Sequence, residues 1–228
     1  MAFVNGFDCY SYPGDTTVSW LRQHGQFRVT GFYLSHSPSK LDKTWTKGLR
    51  STLAASGWGF FPTYVGLQEG DAALSRANGT AHGQAAAGLM QGAGFPTSSI
   101  VYLDLEQGDE PSGKYADYVQ SWTAAVKSNG FSPGIYCSHL FSTWAIQQTQ
   151  IVWSFHVPAN SAGQSYDPDN LPTGLIDPGC VATQYRQNIK LNGLTIPKSV
   201  DSGGLDLNLC LVADPSNLPS VQHALGLS

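Results

Sequence analysis

Eight short apolar segments, most of them followed by a stretch with helical spacing, constrain this chain more than any other feature. They cover residues 3–8, 29–34, 58–65, 100–106, 134–137, 151–155, 181–185 and 204–207. All draw on the β-branched, aromatic and aliphatic side chains that suit a pleated, buried surface. Between them, residues 16–21 read as a helix closed by His24-Gly25, and residues 45–56 carry Trp45, Leu49 and Leu53 at four-residue spacing. Residues 71–94 are Ala- and Gly-rich, with a break expected at Asn78-Gly79. Residues 113–129 set Tyr118, Trp122 and Val126 on one face ahead of Gly130, and residues 139–148 form one more helix. Such alternation predicts a parallel sheet with crossover helices, and eight units in 228 residues suit a closed barrel better than an open sheet. The expected fold is therefore α/β, a single (β/α)8 TIM-type barrel over residues 1–228 with short or irregular helices in its C-terminal half. An irregularity is expected at Pro62, a loop over the Pro-, Gly- and Asp-rich residues 158–179, and a tail over 213–228 with a last short helix.

The fourth segment ends abruptly in acid, Ile-Val-Tyr-Leu-Asp-Leu-Glu at 100–106. Alternation along a strand puts Tyr102, Asp104 and Glu106 on one side and Leu103 and Leu105 on the other. Neighbouring carboxylates repel, which raises one pKa and suits a group that must donate a proton near neutrality. The alternative is a pair of solvated loop acids. Barrels of this class carry their working groups at the C-terminal ends of the strands. By that rule Asp8 ends the first strand, Asp104 and Glu106 the fourth, and Asp206 the eighth, so four of only 16 acids share one rim. Paired carboxyl groups are what glycoside cleavage requires, one to protonate the leaving oxygen and one to steady or attack the sugar. Trp58, Tyr64, Tyr136, Trp153 and Tyr185 offer flat platforms for sugar rings at the same rim, or else fill the core.

Other functions fit poorly. A net charge of −4 with no Lys or Arg run argues against nucleic acid, and no apolar stretch approaches membrane-spanning length. The six histidines lack H-E-x-x-H spacing and the four cysteines lack C-x-x-C spacing, so neither a metal nor any other cofactor is expected. Gly88, Gly92 and Gly94 read as helix-packing positions, not a phosphate loop. Cys180 and Cys210 are the best disulfide pair, with Cys9 and Cys137 free; a Cys137 or Cys9 nucleophile served by His139 or His156 has no oxyanion signature behind it. Only 12% of residues are charged, against about 25% in a typical domain. That composition favours a secreted or cell-envelope monomer whose leader is absent or removed, and the cytoplasm stays open.

Taken in order, GFD at 6–8, YLDLE at 102–106, GIYCS at 134–138, TQY at 183–185 and GLDLN at 204–208 resemble the muramidases of glycoside hydrolase family 25. GFDCY at 6–10 and GFYL at 31–34 resemble still more closely a bacterial sister family of glycoside-hydrolase-like domains. The resemblance implies a barrel with a carboxylate-lined groove acting on bacterial cell-wall glycan, or descended from enzymes that do. It makes Glu106 the general acid and Asp104 its orienting or stabilising partner. Asp8 and Asp206 complete the rim, and Gln184 with Tyr185 match the Gln-Tyr of the seventh strand. Two departures fall on the sugar-contacting wall: Thr183 stands where a Trp usually does, and the sixth strand reads VWSFHVPA. The resulting expectation is a hydrolase of β-linked polysaccharide such as peptidoglycan, contacting it through Tyr64, Tyr136, Trp153, Gln184 and Tyr185. The alternative is a carbohydrate-binding pseudoenzyme that keeps the acidic groove without turnover.

Overall fold

Each of the eight apolar segments forms a strand in the computed structural model, which describes residues 3–34, 45, 48–195 and 204–227. Five β/α units come first: β1 (Val4–Asp8) and α1 (Asp15–His24), β2 (Val29–Tyr33) and α2 (Leu49–Ala55), β3 (Gly59–Val65) and α3 (Arg76–Gly92), β4 (Ile100–Asp104) and α4 (Gly113–Ser128), β5 (Ser132–Ser138) and α5 (Ser142–Thr149). Then follow β6 (Val152–Phe155), the two-residue β7 (Ser165–Tyr166), β8 (Ala182–Leu191), β9 (Leu205–Cys210) and α6 (Leu218–Leu225). Strands β1 to β6 are parallel neighbours in sequence order, and β6 pairs with β8 in parallel. Strand β9 closes the eight-stranded barrel between β8 and β1, and β7 only flanks β8.

The closing strand departs from the ideal pattern. Strand β9 runs antiparallel to both β8 and β1. The sequence between β8 and β9 has no helical spacing, and a parallel return needs a long crossover, usually helical. The chain instead comes back beside itself. Asp206 therefore lies at the start of its strand, not at its end, yet the reversal still sets it opposite Asp8.

Side chains from the strands divide between two cores. Outside the wall, Phe7, Phe32, Phe60, Tyr64 and Val101 pack under the helices. Inside it, Phe61, Tyr102 and Trp153 fill the barrel, with Phe61 stacked on Trp153 at 4.2 Å between ring centres. The segment expected as a tail carries α6, which covers one end of the barrel. Val221 of α6 joins Val29, Ile100 and Val181 at the strand N-termini. Asp214 Oδ1 accepts from Phe60 N at 3.0 Å, Pro215 O from the Tyr102 hydroxyl at 2.9 Å, and Ser216 O from Ile100 N at 2.9 Å.

Helix α3 runs unbroken through Gly79, capped by Ser75 Oγ accepting from Asn78 N at 3.2 Å. A Cβ on Gly79 would fall 2.4 Å from Tyr118 O, and one on Gly83 2.6 Å from Trp122 O, so these two glycines let α3 lie against α4. Gly88 and Gly94 face open space instead. Pro62 sits in regular register opposite Phe32, with no irregularity, and the expected helix starts only at Leu49, its residues 46–47 lying outside the described set. All four cysteines are buried and none is in a disulfide. Cys180 packs near Cys137 outside the wall and Cys210 packs inside it, so the Cys180–Cys210 disulfide cannot form. Burial pushes the Cys180 thiol up to about 11 and Cys137 well above its usual range, which disfavours a thiolate at either position.

Candidate active site

The strand ends bring four acids to one mouth. Asp8 closes β1 opposite Asp206 of β9, while Asp104 closes β4 beside Tyr136 of β5. Asp8 and Asp104 are 2% and 3% exposed, Asp206 is half-buried, and Glu106, two residues past Asp104, is exposed. The Tyr136 phenol lies among them all. Burial first, and then the charges of Asp8, Asp104, Asp206 and Glu106, hold it well above its ordinary pKa, so it stays a neutral donor. Burial and three of the same acids act likewise on Tyr33.

Hydrogen bonds fix two of these carboxylates. Asp8 Oδ1 accepts from the Tyr33 hydroxyl at 3.0 Å, and Oδ2 from Asn208 Nδ2 at 2.7 Å. Asn208 Oδ1 in turn accepts from the Trp153 indole at 2.8 Å. Asp206 Oδ1 accepts from the Asn188 backbone N–H at 2.7 Å, and Oδ2 from Gln184 Nε2 at 3.2 Å. Gln184 Oε1 accepts from the Tyr136 hydroxyl at 2.8 Å. Asn188 reaches Asp206 because β8 slips register between Gln184 and Arg186 and again before Ile189, and Asn188 takes φ 52° there. Bulges of this kind re-aim a strand beside a site. Gly204 gives the room, since a Cβ there would lie 2.4 Å from Asn188 Cα.

Gln68, which the sequence reading passed over, holds the fourth strand's end. Its Nε2 donates to Asp104 O at 2.9 Å and its Oε1 accepts from Glu106 N at 3.1 Å, clasping the backbone on both sides of Leu105. From Glu106, Tyr136 and Gln184 a groove of about 640 Å³ runs to His139, Leu140, Phe155 and residues 157–162. The His139 and His156 rings lie parallel at 3.7 Å on this side. His139 Nδ1 is 3.3 Å from Phe155 O and His156 Nδ1 is 2.9 Å from Asp177 Oδ1.

Three expected sugar contacts lie elsewhere. Tyr64, 1% exposed, faces outward under α3 and α4 beside His82 and Trp122. Trp153, also 1% exposed, is sealed inside the barrel. Tyr185 is 4% exposed and borders a separate cavity of about 400 Å³ on the outer flank with His24 and Gly174. Of the named aromatics Tyr136 alone borders the groove, where Phe155 joins it. Tyr33, Gln68, Asn188 and Asn208 carried no separate signal; their types are common and their partners are far away in sequence. Among the described residues no three His, Cys, Asp or Glu side chains are grouped to hold a metal ion, and no helix is long and apolar enough to cross a membrane.

A closed barrel with acids at the C-terminal mouth of its parallel strands places this chain among the TIM-type α/β barrels. The chain belongs to the Rv2525c-like, glycoside hydrolase-like domain family, whose profile matches residues 19–205. No curated protein matches it. Among solved structures it is similar to an uncharacterized B. stearothermophilus protein, with TM-score 0.64 and 18% identity over 91% of this chain and 95% of that one. It is similar also to the Tat-secreted protein Rv2525c of Mycobacterium tuberculosis, with TM-score 0.59 and 18% identity over 93% and 96%. A third similar structure is the modular autolysin LytC of Streptococcus pneumoniae in complex with a synthetic peptidoglycan ligand, with TM-score 0.55 and 13% identity over 91% of this chain and 46% of LytC. At these identities the likeness to LytC is one of fold.

Proposed function

We propose that the groove binds and cleaves β-linked glycan of the bacterial cell wall, with Glu106 as the proton donor and Asp104 as the stabilising carboxylate. The observation that carries this reading is the convergence of Asp8, Asp104, Asp206 and Glu106 on the one phenol of Tyr136. Glu106 is the exposed member and borders the groove, where a leaving glycosyl oxygen can reach it. Asp104 lies deeper, able to meet positive charge or an acetamido group on the sugar. LytC, whose barrel this chain resembles, is solved with a peptidoglycan ligand, and the Tat-secreted relative supports export to where such glycan lies.

Purified peptidoglycan incubated with wild type and Glu106→Gln, with products read by mass spectrometry, tests the reading. Turnover by wild type and a loss of about 10²–10⁴-fold in Glu106→Gln is the expected result. A silent glycan-binding module is the second reading, favoured by the near-complete burial of Asp8 and Asp104. It predicts glycan binding that Glu106→Gln leaves intact, with no product from either form.

A further inference from the structure

Two amides stand opposite each other across the β8–β9 ladder, Gln184 facing Asn208, one step along from Asp8 facing Asp206 on the β1–β9 ladder. Each amide joins an aromatic donor to a carboxylate. Trp153 donates to Asn208, which donates to Asp8; Tyr136 donates to Gln184, which donates to Asp206. An indole N–H can only donate, so it obliges Asn208 to turn its oxygen toward Trp153 and its NH₂ group toward Asp8. On the other branch the carboxylate takes the NH₂ end of Gln184, leaving the amide oxygen to the phenol. Asn208, Trp153 and Gln184 are 0%, 1% and 2% exposed. At that burial a reversed amide would leave polar groups unpaired in a medium of low dielectric. Each carboxylate accepts a second donor besides its amide, the Tyr33 hydroxyl on Asp8 and the Asn188 N–H on Asp206. Donors on a carboxylate favour its charged form.

We propose that Asn208 and Gln184 are positioning residues that hold Asp8 and Asp206 as ionised acceptors, with Trp153 and Tyr136 dictating which way each amide points. Its mechanistic consequence rests on the glycan-cleaving reading: the proton passed to the departing glycosyl oxygen leaves Glu106, while Asp8 and Asp206 keep their negative charge throughout.

Carboxyl-carbon NMR titration of the full chain, wild type against Asn208→Leu and Asn208→Asp, tests the proposal. In Asn208→Leu the Asp8 midpoint moves up by about one pH unit or more, as a donor to the charged form is lost. Asn208→Asp keeps the shape and guards against a Leu variant that fails to fold. It sets a second carboxyl against Asp8, so the pair shares a proton and titrates above the ordinary Asp range. A carboxyl whose folded pKa is raised stabilises the fold at low pH and loses that contribution as pH rises. The melting temperature of Asn208→Asp, relative to wild type, therefore falls between pH 5 and pH 8, and Gln184→Glu behaves alike through Asp206. Because the introduced carboxyl, once protonated, can again donate to Asp8, glycan turnover by Asn208→Asp recovers toward acid pH. An Asp8 midpoint unmoved in both Asn208 variants, or a melting difference flat in pH, overturns the assignment. Absence of turnover on every glycan would count against the hydrolase reading while the carboxyl titrations still decide this one.

Discussion

Trp153 shows how a residue's type and its job can part company. By sequence it is a candidate platform for sugar, yet its ring is sealed between Phe61, Tyr102 and Tyr136 and its N–H is spent on Asn208. Trp153→Phe leaves the Asn208 oxygen without that donor and costs about 1–3 kcal/mol, which lowers the melting temperature by several degrees. Should the variant melt with wild type, the indole bond contributes nothing. The buried phenols and thiols set the alkaline limit. Burial raises Tyr185 to about 12 and Cys180 to about 11, and carries Tyr33, Tyr136, Cys137 and Cys210 upward as well. A raised folded-state pKa means that the folded state holds its proton longer than the unfolded chain does. The contribution is complete below the unfolded values, near 8.5 for Cys and 10 for Tyr, and drains away as pH climbs toward the folded ones. Denaturant midpoints measured from pH 8 to pH 12 are expected to fall steadily from about pH 9.

At the scale of the element, α3 separates what sequence can reveal from what it cannot. The Ala-rich composition marks a helix, but Asn78-Gly79 reads locally as a stop because glycine weakens an isolated helix. What overrides that preference is a neighbour about 40 residues away in the chain, the α4 backbone at Tyr118 and Trp122. Gly79→Ala and Gly83→Ala thus drive a methyl group into α4 carbonyl oxygens and destabilise by about 1–3 kcal/mol. Gly88→Ala meets open space and stabilises by up to about 1 kcal/mol. Thermal melts of the three variants check this, and a Gly88 variant as damaged as the other two would refute the packing argument. Strand content was legible for a plain reason: alternating or wholly apolar runs bounded by turns announce themselves locally. The side of the wall that each aromatic faces was not, since Tyr64, Trp153 and Tyr185 are all buried strand residues of similar character. Only the closed barrel decides which of them points inward.

For the molecule as a whole, counting the strands revealed the barrel, whereas its seam and its floor lay beyond the reach of local pattern. The floor is α6, which no longer reads as a tail once Val221 is seen among the inner side chains. Val221→Asp buries a charge there without a partner, and chemical denaturation is expected to show a loss of several kcal/mol. Little change would mean that α6 merely rests on the barrel. The rim has a different origin from the one the strand pattern suggests. The pattern puts Asp206 at the end of a parallel strand, whereas it sits at the start of β9 and meets Asp8 because β9 runs the other way.

That reversed strand also fixes when the mouth can come into being. Asp8 and Asp206 meet only across the ladder between the first strand and the ninth, pairs nearly 200 positions apart in the chain. Contacts so distant carry a large loop-closure cost and form slowly. During synthesis a growing chain could finish every β/α unit and still own no acidic cleft, until Cys210 has cleared the ribosome and the last strand zips onto the first.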